Sequence, residues 1–318
     1  MRIIGAVDIG GTKIAVGAIA EDGTVAWRAT CPTDPERGFD DAVQRIRLML
    51  RDASMACGEF EGIGIACPGP LDPFTGVLGE VGTLPGWEHR SLSDDLEREF
   101  GATIAVENDA DAAALGEMQW GAAKSARNFI YVTVSTGIGG GIIHEGELYR
   151  GVDGSHPELG HQILDNSGPL CYCGARGCWE SLASGTAMTQ WLSQQTPNAP
   201  PLSAEAICQL AVKGNGLAVR TVEREGFYLG LGLANLVTVF SPDKILLGGG
   251  VMKSSALFLD DARKVVWGVC TQVPARKTEI ALASLGADSG LLGAAQAWLS
   301  RCRRTSDMRL DPVGPRGA

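Results

Sequence analysis

Short apolar runs bounded by Gly and Asp open the chain. IIGAVDI reads as a strand, Gly10-Gly11 as a turn and KIAVGAIA as the returning strand. Glu21-Asp22-Gly23 turns the chain into a third run, TVAWRAT. The period then lengthens, with Phe39, Val43, Ile46 and Leu50 at helical spacing over about 38–56. GIGIACPG predicts a buried strand closing at Pro68-Gly69-Pro70. A short helix is expected over 93–100, stopped by Gly101, then a strand over 102–106 and an Ala-rich helix over 110–120.

Around 128–150 the opening pattern returns: NFIYVTVS as a strand, TGIGGG as a glycine turn, GIIHEGELY as a hairpin. Residues 151–183 read as loop-rich and 192–203 as a surface loop. A long helix is expected over about 216–239, ended by Ser241-Pro242. KILLGGGV reads as a strand entering three glycines, and ADSGLLGAAQAWL as a final helix over about 288–302. Residues 303–318 read as a loose tail. The alternation predicts an α/β chain of two similar lobes, 1–112 and 113–287, with the last helix returning to the first lobe.

Composition narrows the functions. Lys and Arg number 27 against 37 Asp and Glu, a net charge of −10, which argues against broad nucleic-acid binding. No apolar run is long enough to span a membrane, and the N-terminus carries no signal-peptide pattern, so a cytoplasmic protein is expected. Nine cysteines in that setting read as free thiols or metal ligands. The 43 glycines nearly double the usual share, and several cluster at predicted strand ends.

Asp8-Ile9-Gly10-Gly11-Thr12-Lys13 sits between two strands. Adjacent glycines let a backbone take positive φ and aim N–H groups at phosphate; Thr12 and Lys13 would add a hydroxyl and a charge. Asp8 would stand where hydrated Mg²⁺ bridges phosphates. An ordinary hairpin turn reads the same way in isolation. Ser135-Thr136-Gly137 and Gly248-Gly249-Gly250 repeat the feature and favour a nucleotide.

His161, Cys171, Cys173 and Cys178 form H-x9-C-x-C-x4-C. Three sulfurs and one imidazole make a closed tetrahedral zinc set, which is structural rather than catalytic. A redox C-x-C pair is the weaker alternative.

These motifs resemble the ROK sugar kinases of the hexokinase–actin superfamily, a group that also includes repressors. DIGGTK looks like the first phosphate motif, STGIGGG the second, LLGGGV the adenosine segment, and GPLCYCGARGCWE the zinc loop. The resemblance implies a two-lobed actin-like (ribonuclease H-like) ATPase fold with an interlobe cleft. Asp8, Gly10, Gly11, Thr12, Lys13, Thr136, Gly137, Gly249 and Gly250 would then hold ATP. Within ENDADAAALGE, Asp109 corresponds to the base that accepts the sugar hydroxyl proton, with Asn108 as a sugar ligand. Gly69, Glu158, His161 and Glu180 would complete the sugar site, Zn²⁺ leaving one His161 ring nitrogen for the sugar.

Four positions depart from the family pattern. Asp111 replaces a frequent Asn, Thr83 the usual Asn, and His156-Pro157 the Ala-Gly before Glu158. His156 reads as capping a turn. The resemblance implies an ATP-dependent hexose kinase, glucokinase first, with N-acetylmannosamine or N-acetylglucosamine as alternative substrates. Family members are often oligomers, and a homodimer is favoured. A sugar-responsive regulator is the less favoured reading, since Met1 lies too close to Asp8 for a helix-turn-helix to precede it.

Overall fold

The computed structural model describes residues 2–310. The chain forms two compact units, one of residues through Lys124, Arg150–His156 and the stretch from Ala287 on, the other of Ser125–Tyr149 and Pro157–Gly286. The first unit therefore runs past residue 112 to the end of the Ala-rich helix and takes in a short internal segment.

The first unit holds β1 (Ile3–Ile9), β2 (Lys13–Ala20), β3 (Val25–Pro32), α1 (Phe39–Cys57), β4 (Gly62–Cys67), α2 (Asp94–Phe100), β5 (Thr103–Asn108) and α3 (Asp109–Gln119). The second holds β6 (Phe129–Val134), β7 (Ile138–His144), β8 (Glu147–Leu148), α4 (Trp179–Leu182), α5 (Gly185–Gln195), α6 (Ala204–Val212), α7 (Gly216–Phe240), β9 (Lys244–Gly248), α8 (Leu259–Val269) and β10 (Glu279–Leu282). The last helix, α9 (Ser289–Leu310), belongs to the first unit.

The two sheets share one topology. The first runs β3-β2-β1-β4-β5 and the second β8-β7-β6-β9-β10. In each, three strands form an antiparallel meander and the first of them pairs in parallel with a later strand. The weak echo of the opening pattern at residue 128 is thus a repeat of topology. Periodicity explains the strand faces: β1 and β2 are nearly all apolar and buried, as a strand covered on both faces must be, whereas the edge strand β3 alternates.

Small residues let α9 lie close to the first sheet. A Cβ on Gly64 would fall 1.7 Å from the Ala294 carbonyl oxygen, and one on Gly293 2.4 Å from that of Ala112. Trp298 fills the space beside Gly62 and donates its indole N–H to Thr103 Oγ1 at 2.9 Å. Several of the 43 glycines therefore serve packing rather than a ligand.

Some expectations change. Gly139, Gly140 and Gly141 are residues of β7, not of a turn, and a Cβ on Gly140 would meet the Tyr131 carbonyl oxygen at 2.5 Å. Helix α5 occupies the start of the presumed loop at 192–203, because Ser184 caps it by accepting from the Ala187 N–H at 3.1 Å. Helix α9 continues through 303–310 rather than giving way to a tail, and residues 311–318 lie outside the described residues. No helix among the described residues is long and apolar enough to cross a membrane.

Candidate active site

In the first unit, the carboxyl ends of parallel β1, β4 and β5 bring Asp8, Cys67 and Asn108 level, through the pairs Asp8–Ala66 and Cys67–Asn108. Asn108 caps α3: its Oδ1 accepts from the N–H groups of Ala110 at 2.8 Å and Asp111 at 3.2 Å. That commits the oxygen to the helix and leaves the amide N–H₂ for other partners. A Cβ on Gly69 would lie 3.2 Å from this nitrogen, so the two predicted sugar residues are neighbours. Asp109 opens the helix, where the positive end of the backbone dipole favours a carboxylate.

Asp8 is packed under α9, with its carboxyl 2.2 Å from where a Gly290 Cβ would stand. Burial, reinforced by the nearby Asp109 carboxylate and opposed by Lys13, raises its pKa to about 6. Such a pair holds one member's pKa up, and a bound cation would relieve it. The turn after Asp8 is closed by Gly10 N–H donating to the Lys13 carbonyl at 2.9 Å and by Thr33 Oγ1 donating to the Gly10 carbonyl at 2.6 Å. Neither Gly10 nor Gly11 takes positive φ, contrary to expectation. Gly11 is required instead by close approach, since its Cβ would meet Thr83 Cβ at 2.9 Å. The departure at Thr83 thus packs against the first phosphate turn.

Behind Asp109 lies a charged cluster that sequence reading missed. Glu107 and Arg150 form a bidentate pair, Nη1 to Oε1 being 2.6 Å. Asp111, fully buried, has its Oδ2 2.9 Å from Nδ1 of His156. His156 therefore faces an acid on α3. Sequence distance hid both partners.

In the second unit, β6 leads into the turn Ser135-Thr136-Gly137. Two backbone bonds tie this turn to the N-terminus of α5: Gly185 N–H to the Ser135 carbonyl at 2.8 Å and Thr186 N–H to that of Thr136 at 3.3 Å. Beside them opens a cavity of about 970 Å³, lined by Thr136, Thr186, Gly250, Lys253 and Ser254 among others. Its size and mixed lining suit a nucleotide. Thr186, Lys253 and Ser254 were not singled out in the sequence; the Ser184 cap was the available signal. Gly249 does take positive φ, and a Cβ there would sit 2.3 Å from the Val134 carbonyl oxygen.

Glu180 lies against the same turn. Its Oε2 accepts from the Ile138 N–H at 3.0 Å, in space that a Gly137 Cβ would enter at 2.0 Å. Trp179, fully buried, anchors this acid by packing into the gap at Gly232 of α7. Glu158 is exposed, and its carbonyl accepts from the His161 N–H at 3.1 Å.

His161, Cys171, Cys173 and Cys178 converge, with all four ligand atoms within 4.8 Å of one another. Cys171 Sγ lies 3.6 Å from His161 Nδ1, and Cys173 Sγ 3.6 Å from Cys178 Sγ. Metal–ligand bonds of roughly 2.0–2.3 Å meeting at tetrahedral angles place such atoms about 3.5–3.8 Å apart, so the set fits one ion. Gly174 and Gly177 at positive φ shape the loop, and a Gly177 Cβ would meet the Asp165 carbonyl oxygen at 1.6 Å. The other ring nitrogen of His161 is not free: Nε2 lies 3.0 Å from the Tyr172 hydroxyl.

Two α/β units of one topology, each with a glycine turn after a first-strand end, are the architecture of an actin-like phosphotransferase. Residues 4–301 match the sequence profile of the ROK family, and the chain belongs to that family. It is 32% identical over 307 residues to the glucokinase of Thermotoga maritima, covering 93% of this chain and 96% of that one. Among solved structures, the ROK hexokinase of Thermus thermophilus superposes with a TM-score of 0.83 at 35% identity, covering 95% of this chain and all of the other. A ROK family glucokinase from Streptomyces griseus, solved with glucose and AMPPNP, gives a TM-score of 0.79 at 33% identity over 92% of this chain and 98% of that one.

Proposed function

We propose that this protein is an ATP-dependent glucokinase that transfers the γ-phosphoryl group to O6 of glucose. The observation that carries the reading is the placing of Asp109 at the N-terminus of α3, beside Asp8 of the first phosphate turn. The full-length match to a glucokinase supports the choice of sugar.

Asp109 is the general base. It accepts the proton of the sugar hydroxyl as the oxygen attacks the γ-phosphorus and the bond to the β–γ bridging oxygen breaks. The α3 N-terminus favours a negative charge at this position. Asn108, Gly69, Glu158 and Glu180 orient the sugar, carboxylates being suited to hydroxyl-rich ligands; His161 joins them by exchanging the Tyr172 hydroxyl at Nε2 for a sugar hydroxyl. Backbone N–H groups at Gly11 and Gly137, with Thr12, Lys13 and Thr136, hold the phosphates, Gly10 shaping the turn through its own bond to the Lys13 carbonyl, and the cavity beside Gly250 takes the adenosine. Asp8 would hold hydrated Mg²⁺, which neutralises charge on the transferring group. His161, Cys171, Cys173 and Cys178 hold Zn²⁺ as a structural ion. The convergence of the four ligand atoms within 4.8 Å supports this assignment.

The test is an ADP-release assay with glucose, N-acetylmannosamine and N-acetylglucosamine. Glucose is expected to give the highest kcat/KM. A higher value with either N-acetylhexosamine transfers the proposal to that sugar, and no ADP release with any hexose overturns it.

A further inference from the structure

We propose that His156 is a positioning residue for the sugar: its contact with Asp111 fixes the segment that runs into Glu158. The inference rests on the kinase reading for the role of Glu158.

The first unit buries two carboxylates within reach of each other. Glu107 is 3% exposed and Asp111 is wholly buried, and Asp111 repels the Glu107 carboxylate. Arg150 is a permanent cation near both acids, and it gives its fork to Glu107. Asp111 is left with neither oxygen hydrogen-bonded among the described residues. A buried, unpartnered carboxylate is strongly disfavoured unless a positive charge adjoins it. His156 Nδ1 lies 2.9 Å from Asp111 Oδ2 and supplies that charge when the imidazole is protonated.

Arg150 and His156 are also the two ends of the internal segment that joins the first unit. Between them, Gly154 at positive φ is pressed against Phe74, and Gly151 N–H donates to the Ser155 carbonyl at 2.8 Å. The segment is therefore pinned at both ends by acids flanking Asn108 and Asp109. Pro157 follows His156 directly, and its fixed φ passes the direction set at 156 to Glu158 with little freedom. Two departures from the family pattern, Asp111 and His156, are thus partners in space.

The test is a cycle of Asp111→Asn, His156→Ala and the double variant. Kinetics, calorimetric glucose titration and thermal unfolding are read for each. Asp111→Asn is expected to raise the glucose KM and Kd about tenfold, the size of a typical contact coupling, with kcat and the ATP KM within about threefold. His156→Ala is expected to do worse, because it leaves the buried acid unanswered; if it does not fold, Asp111→Asn and the double variant carry the test. The double variant is expected to bind glucose more tightly than the product of the single effects allows. A purely structural defect would lower the active fraction and hence kcat while leaving the glucose KM in place. Unchanged glucose KM and Kd in the variants, or effects that simply multiply, overturn the proposal. A wild type that phosphorylates no hexose defeats the kinase reading instead. The pair is then judged by unfolding alone: non-additive midpoints keep the contact, additive ones dismiss it.

Discussion

Single atoms decide much at this site, and Gly137 shows how. A methyl group there would stand 2.0 Å from Glu180 Oε2 and displace the carboxylate from the Ile138 N–H. Misplacing a positioning group by about 1 Å can cost on the order of a hundredfold. Gly137→Ala is therefore expected to lower kcat/KM by roughly that factor while leaving the unfolding midpoint near that of the wild type; steady-state kinetics beside a thermal scan checks both. Residue identity was largely readable in advance. The Cys/His spacing named four residues whose ligand atoms converge, while DIGGTK and ENDAD named residues that the proposed chemistry uses. The physical reason for a given glycine was less readable. Gly10-Gly11 reads as a positive-φ turn but takes none; Gly11 is required instead by Thr83, and Gly137 by Glu180, neighbours that only the fold brings near.

At the scale of elements, helix α7 carries a built-in pH dependence. Glu225 is 1% exposed, with neither oxygen hydrogen-bonded among the described residues. Burial, partly offset by Arg224, raises its pKa from 4.5 to about 8. The folded state thus keeps a proton that the unfolded chain releases above 4.5. Stability is fully present below that value and falls as pH rises towards about 8. Glu225→Gln, which keeps the shape without the charge, is expected to flatten the slope of unfolding free energy between those limits; a slope equal to wild type would show that Glu225 is not its source. The zinc loop makes a second prediction at this scale. Wild type should carry about one zinc per chain, bound with the folding free energy typical of structural sites, and Cys173→Ser should lose the metal and lower the melting temperature. Unchanged zinc content by elemental analysis would count against the assignment. Element positions were legible where a single period ran unbroken, as in α1 and α7. They were not legible at α5, whose start rests on one Ser184 cap, or at β7, where three glycines in a strand mimic a turn.

For the whole molecule, the repeated sheet topology explains how an acidic chain of net charge −10 can be read as an ATP enzyme. Anion binding is assigned to backbone N–H groups at two strand ends, to Lys13 and to a cation at Asp8, so no broad basic face is needed. The topological repeat was only faintly visible in the sequence, since what repeats is strand order. The Glu107–Arg150 and Asp111–His156 pairs were not visible at all, because they join residues some forty positions apart. The central claim is that Asp109 is the base of a sugar kinase in the ROK family, and one comparison tests it most directly. Glucose Kd and kcat are measured for wild type and Asp109→Asn with saturating Mg-ATP. The account predicts a Kd within a few-fold of wild type and a kcat lower by at least about two orders of magnitude, as for loss of a general base; turnover near the wild-type rate would contradict it.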